Sequence, residues 1–96
     1  MHKCPLCDGP VSSRIMFHDG IMFVDGRAVR ITRTESNFMK LLSYPIGGKV
    51  SKWEFEEFGM NDRTLRYCRE SMRQKLKGTG LRILRDRGEF YLTWRT

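Results

Sequence analysis

The sequence predicts an α+β fold in which an N-terminal β-meander is followed by three helices and a C-terminal β-hairpin. Three observations predict it. Asp19-Gly20 and Asp25-Gly26 separate short apolar runs, and Asp-Gly suits a type I′ hairpin turn because glycine tolerates positive φ. The apolar period then changes from two residues to between three and four across residues 32–77, behind helix-capping side chains. Alternation by twos returns at residues 81–84 and 89–94. The 96 residues, 40% hydrophobic and 30% charged, suit one globular domain rather than a disordered chain.

Each element follows in order. Residues 13–18 place Ile15 and Phe17 at alternate positions, residues 21–24 form the next run and residues 27–31 the third, which makes three strands. Thr32 and Glu35 are spaced as a capping box, and Phe38, Leu41 and Leu42 follow at helical spacing to face the core. Pro45 and Gly47-Gly48 end this helix, and Lys49-Val50 is a short extended link. Ser51 and Glu54 form a second capping box, opening a short helix with Phe55 and Phe58 three apart and Gly59 as its stop. The third helix begins at Asn61-Asp62 and runs to Lys77, ahead of Gly78-Thr79-Gly80. Its apolar stripe is Leu65, Cys68, Met72 and Leu76. The opposite face carries Arg63, Arg66, Tyr67, Glu70 and Gln74, with Arg69 and Arg73 on one flank. Arg85-Asp86-Arg87-Gly88 forms a basic tip on the closing hairpin.

Charge is unevenly spread. The chain carries a net +7, and residues 61–96 hold 10 basic and 4 acidic side chains, a local balance of +6. Such a concentration points to a polyanionic partner, with an ordinary solvated helix face as the bland alternative. No apolar run approaches the roughly 18 residues of a transmembrane helix, so no membrane partner is expected. The N-terminus lacks a signal-peptide stretch, which makes a cytoplasmic location the expectation. A chain of this size has little room for a deep substrate cavity. Glu54, Glu56 and Glu57 form the acidic cluster and are better explained as a solvated helix face than as acid-base groups. With no phosphate-binding loop and no supported Ser/His/Asp arrangement, an enzyme is not expected.

Three helices followed by a hairpin is the order of a winged helix-turn-helix, and particular residues carry a closer likeness. Ile31-Thr32-Arg33-Thr34-Glu35 with Phe38, Met39 and Leu42 resembles the L-T-x-x-E-x-x-L-L-x-x-L opening of OmpR/PhoB-type DNA-binding domains. Residues 48–55 resemble that family's G-x-V-x-S-R-x-x-L, one residue shorter, and Phe58-Gly59 stands where Trp-Gly is usual. Arg63, Leu65, Met72, Arg73, Lys75 and Leu76 match the spacing of R-x-V-D-V-H-I-x-R-L-R-x-K-L. Arg85 to Gly88 with Phe90, Tyr91 and Leu92 is similar to the R-G-x-G-Y-x-L wing. The likeness spans about residues 21–94.

The resemblance implies a transcription regulator of bacterial or phage origin that binds double-stranded DNA. The third helix would enter the major groove, the wing at residues 85–88 would reach the minor groove, and the start of the second helix would meet phosphate. On this chain, Arg63, Arg66, Tyr67, Glu70 and Gln74 would face base edges or flanking phosphates, with Arg69 and Arg73 beside them. Arg85 and Arg87 would lie at the minor groove, and Lys52 with Lys49 would bind phosphate. Arg66 stands where the family has an acid, Cys68 where it has His and Arg69 where it has an apolar residue, so its target sequence is not carried over. The linker at residues 59–62 is short where the family's loop often contacts RNA polymerase. No receiver domain precedes the module in this sequence, so no phosphorelay input is expected. The rival class is a winged-helix protein-interaction module docking on RNA polymerase or another acidic protein, with Trp53, Tyr67 and Trp94 as anchors.

The N-terminal segment, residues 1–20, is set apart from the DNA-binding unit at 21–96 by its cysteines. Cys4-Pro5-Leu6-Cys7 is a C-x-x-C knuckle, whose spacing lets two thiolates bind one tetrahedral ion. A structural Zn2+ held by Cys4, Cys7, His18 and His2 is the first reading. The rivals are two free thiols or a redox pair, and the latter lacks a βαβ setting. Three cysteines without a secretion signal argue against a disulfide framework. Cys68, on the apolar stripe, reads as a small core residue.

Overall fold

A computed structural model of the protein describes residues 8–43 and 46–95. His2, Cys4, Cys7 and Pro45 lie outside the described residues. The fold is α+β. Strands β1 (Gly9–Pro10), β2 (Ile15–His18), β3 (Ile21–Val24) and β4 (Arg27–Arg30) form an antiparallel sheet in chain order. Helix α1 (Arg33–Leu42), strand β5 (Val50–Ser51), helix α2 (Lys52–Glu56) and helix α3 (Asp62–Lys75) follow. Strands β6 (Leu81–Asp86) and β7 (Glu89–Trp94) close the chain, in a second antiparallel sheet of order β5-β7-β6.

The first sheet follows from alternation and tight turns. Ile15 and Phe17 of β2 and Met22 and Val24 of β3 are buried, while their neighbours face outward. Asp25 and Gly26 adopt φ of 52° and 82°, the two positive angles of a type I′ turn, whose twist matches the flanking strands. The sheet has four strands rather than the three expected. Gly9 and Pro10 pair with Phe17 and Met16 as a two-residue edge strand, where proline's missing N–H costs no ladder bond. The boundary read after residue 20 falls in the β2–β3 turn, and Ile15 and Phe17 share one core with the helices.

The helices begin where their caps place them. The Thr32 N–H donates to the Glu35 carboxylate at 2.8 Å and the Glu35 N–H to the Thr32 hydroxyl at 3.2 Å, a reciprocal capping box. Glu54 accepts from the Ser51 N–H at 2.7 Å, and Asn61 accepts from the Thr64 N–H at 2.9 Å. Phe38 from α1, Phe55 from α2 and Phe90 from β7 meet at the centre, with ring centroids 5.3, 5.7 and 6.1 Å apart. Phe55 is the buried residue by which the five-residue α2 is anchored.

Four local expectations change. Met39 is fully buried and Leu41 only partly, because Met39 lies on the same face as Phe38 and Leu42. Phe58 is 40% exposed, since α2 ends at Glu56 and the chain turns back so that Met60 fills the core instead. The link at Lys49-Val50 continues into β5, where Val50 and Ser51 pair with Phe90 and Glu89. The basic tip contracts to Arg87-Gly88, because Asp86 pairs with Glu89 and Arg85 with Phe90 inside the ladder. Among the described residues no helix is long and apolar enough to cross a membrane.

Candidate nucleic-acid interface

Helix α3 is held firmly on one side and left open on the other. Leu65, Cys68 and Met72 are buried, and Leu76 caps the stripe. Arg63, Arg66, Tyr67, Glu70, Arg73 and Gln74 are exposed, and Arg69 is half-buried at the edge. Among the described residues, Arg63, Arg66, Arg69, Arg73, Arg85 and Arg87 form no salt bridge. Six guanidinium groups on adjoining elements are therefore left without carboxylate partners, which produces the positive field that the charge distribution foreshadowed.

The inner side of α3 is fixed by Glu35, which is fully buried. Its carboxylate accepts from the Lys75 ammonium at 2.5 Å and also from the Ser71 hydroxyl, in addition to the Thr32 N–H. Burial pushes this carboxyl up, but the bonds from Lys75, Ser71 and Thr32 outweigh it and hold the group below its ordinary value. The neighbouring Cys68 thiol is pushed up to about 11, first by burial and then by the Glu35 charge. That environment makes it an inert core group, in keeping with its place on the stripe.

The two lysines expected to meet phosphate are instead engaged in the protein. Lys49 donates to Asp86 and Lys52 to Asp62, each at 2.7 Å. Both pairs are solvent-exposed, and the hydrogen bond to the carboxylate raises each lysine's pKa. In the sequence Asp62 marks only the start of a helix and Asp86 only the tip of a hairpin, and neither pairing is visible there. Lys52 and Asp62 lie on different helices ten positions apart, so neither spacing rule of a single helix relates them.

Arg85 and Arg87 occupy different settings. Arg87 adopts φ of 52° in the two-residue turn with Gly88 at 83°, exposed at the end of the hairpin. Arg85 lies in the ladder opposite Phe90, with its guanidinium carbon 5.6 Å from that ring's centroid. A cleft of about 270 Å³ opens between α3 and the hairpin, where Lys52, Arg66, Arg69 and Arg85 surround Asp62, with Leu65 and Phe90 behind them. Arg69 also borders a second cleft of about 240 Å³, lined by Arg73, Leu76, Leu81, Arg82, Ile83 and Leu84.

Of the four expected zinc ligands, His18 alone lies among the described residues, exposed at the end of β2. Gly9 pairs with Phe17, so β1 brings the residue before it, Asp8, to the His18 end of the sheet. The Asp8 carboxyl is held below its usual range chiefly by the hydrogen bond from Lys40 at 2.8 Å. The Asp19 N–H assists, burial opposes, and the nearby His18 adds a smaller charge effect. Among the described residues no three His, Cys, Asp or Glu side chains are grouped to hold a metal.

Comparison of the chain with protein-family models, with curated proteins and with solved structures found no match.

Proposed function

We propose that the fold is a winged helix-turn-helix and that the protein binds double-stranded DNA in a sequence-specific manner, as a transcription regulator of bacterial or phage type. The observation that carries this reading is the row of unpaired arginines on the open face of α3, set beside the hairpin β6–β7. Helix α3 would lie in the major groove, where Arg63, Glu70 and Gln74 have the chemistry to read guanine, cytosine and adenine edges. Arg87 in the hairpin turn would approach the adjacent minor groove, whose negative potential favours guanidinium, while Arg85 stays in the ladder beside the cleft with α3. Lys49 and Lys52 would reach phosphate by exchanging Asp86 and Asp62 for it. Exposed pairs of this kind contribute little and give way readily.

Salt-titrated binding to random and selected duplexes tests the reading. Affinity is expected to fall steeply with salt, because neutralised phosphates release counterions, and selection is expected to enrich a defined sequence. Absence of binding to any duplex at low salt overturns it.

A second reading is supported by Trp53 and Tyr67, which are 61% and 57% exposed. Aromatic side chains so placed suit anchors for a protein partner such as RNA polymerase. Pull-down of one partner unaffected by nuclease, with no duplex binding, selects this second reading. Zinc remains part of the proposal on the C-x-x-C spacing of Cys4 and Cys7 in the sequence.

A further inference from the structure

The cleft between α3 and the hairpin gathers side chains that the sequence assigns to three separate tasks. Arg66 and Arg69 come from one turn of α3, Arg85 from β6 and Lys52 from the start of α2, and all border the same space of about 270 Å³. Its sole carboxylate among the described residues is Asp62, already bonded to Lys52 at 2.7 Å. The excess is equivalent to three positive charges lining an open concavity with room for a small anion and its water. Phe90 and Leu65 form an apolar back wall, which weakens solvent screening there.

Strand geometry decides where Arg85 is directed. Leu81, Ile83 and Arg85 share one face of β6, and their cross-strand partners Trp94, Leu92 and Phe90 lie on the matching face of β7. Leu81, Leu92 and Phe90 are buried on that face, so Arg85 is turned toward the helices and away from the hairpin's outer side. Asp86, one residue on, takes the opposite face and meets Lys49. Arg87 is thus the arginine of the turn, and Arg85 is a wall of the cleft.

We infer that this cleft is a seat for a single phosphoryl oxyanion, gripped jointly by Arg66 and Arg69 of α3 and Arg85 of β6, and that in DNA binding the occupant is one backbone phosphodiester. The identity of the occupant rests on the DNA-binding reading; the phosphoryl chemistry does not. Guanidinium groups offer paired N–H donors that match phosphate oxygens, and donors from two elements fix the angle between α3 and the hairpin once the anion is seated. Arg66 and Arg85 then set register and affinity, while base choice falls to the outer residues of α3. Asp62 repels the anion, and Lys52 joins the grip only on leaving its bond to Asp62.

Two measurements test the seat. Inorganic phosphate titrated at low salt is expected to shift the amide resonances of Arg66, Arg69, Arg85 and Gly88, and to leave those of Arg82 and Leu84 in the second cleft unmoved. Asp62→Asn is expected to tighten phosphate binding, a gain that loss of a structural contact would not give. On duplexes, Arg85→Gln is expected to weaken selected and random sequences by one common factor of about tenfold and to lower the salt slope by about 1, with Arg85→Lys recovering part of both. If wild type binds duplexes but phosphate leaves the cleft unmoved, or Arg85→Gln alters sequence preference, the seat is overturned while DNA binding stands. If wild type binds no duplex yet phosphate saturates the cleft, the DNA reading falls and the seat serves a free phosphorylated ligand.

Discussion

The Glu35 carboxylate at the start of α1 meets the Lys75 ammonium in the last turn of α3 at 2.5 Å. One side chain thereby caps the first helix and ties it to the third. Replacing Glu35 by Ala removes half of the capping box and frees Ser71 and Lys75 together. A loss of about 2–4 kcal/mol in urea denaturation is expected, below the cost of breaking a fully buried pair because Lys75 is partly solvated.

The same contact sets an acid limit. The Glu35 carboxyl titrates below its ordinary value of 4.5 in the folded protein, because its hydrogen bonds outweigh burial. A group depressed in this way stabilises the fold above its unfolded pKa, and that stability is lost as pH falls through the lower folded value. Melting temperature is therefore expected to drop from about pH 4.5 downward in wild type. Glu35→Gln should start less stable at neutral pH and show a shallower acid decline. Parallel acid limbs for the two proteins would contradict this.

Phe55 joins α2 to the aromatic centre through Phe38 and Phe90. Phe55→Ala is expected to cost about 3–5 kcal/mol through the cavity it leaves. Phe55→Leu, closer in volume, should cost less and retain a cooperative transition. Because this ring is α2's buried anchor, a thermal shift larger than that of Trp53→Ala is the checking measurement.

On the open side of α3, Gln74→Ala should leave stability within about 0.5 kcal/mol, since the side chain is exposed. Its effect is expected in selection of bound duplexes. Discrimination at one base position should relax by about 1–3 kcal/mol while affinity for random DNA is retained. Equal weakening on every sequence would place Gln74 on the backbone instead.

The cysteine segment predicts one bound zinc per chain. Metal analysis of wild type and Cys4→Ser should show the ion lost in the variant, and chelation should lower the melting temperature. Thiol titration provides an internal reference. The Cys68 thiol, raised to about 11, should stay unreactive at pH 8 until the protein unfolds. Metal-free wild type with unchanged stability would remove the zinc reading.

Much of the fold was legible because local chemistry and global packing agree. Thr32 and Glu35 announced α1, Asn61 announced α3, and the stripe of Leu65, Cys68, Met72 and Leu76 became its buried side. What escaped has physical reasons. Gly9-Pro10 is too short to show alternation, and its pairing with β2 is visible only once the sheet exists. Phe58 kept its helical spacing from Phe55, yet the helix ended first and Met60 took the interior place. The partners of Lys49 and Lys52 are non-local, which a reading of charge along the chain cannot resolve. Arg85 looked like a turn residue until register placed it opposite Phe90.

Arg14 lies over the ring of Trp94, its guanidinium carbon 3.5 Å from the centroid, while two bonds of 2.7 Å to Asp25 hold it there. The two tryptophans consequently occupy different surroundings, Trp94 of β7 half-buried beneath Arg14 and Trp53 61% open to water. Their fluorescence separates without any label. Emission quenched by iodide reports the surface around α2, and shielded emission reports whether Trp94 of β7 stays docked beneath Arg14. The molecule thus carries its own pair of optical gauges, one for what approaches it and one for whether it is whole.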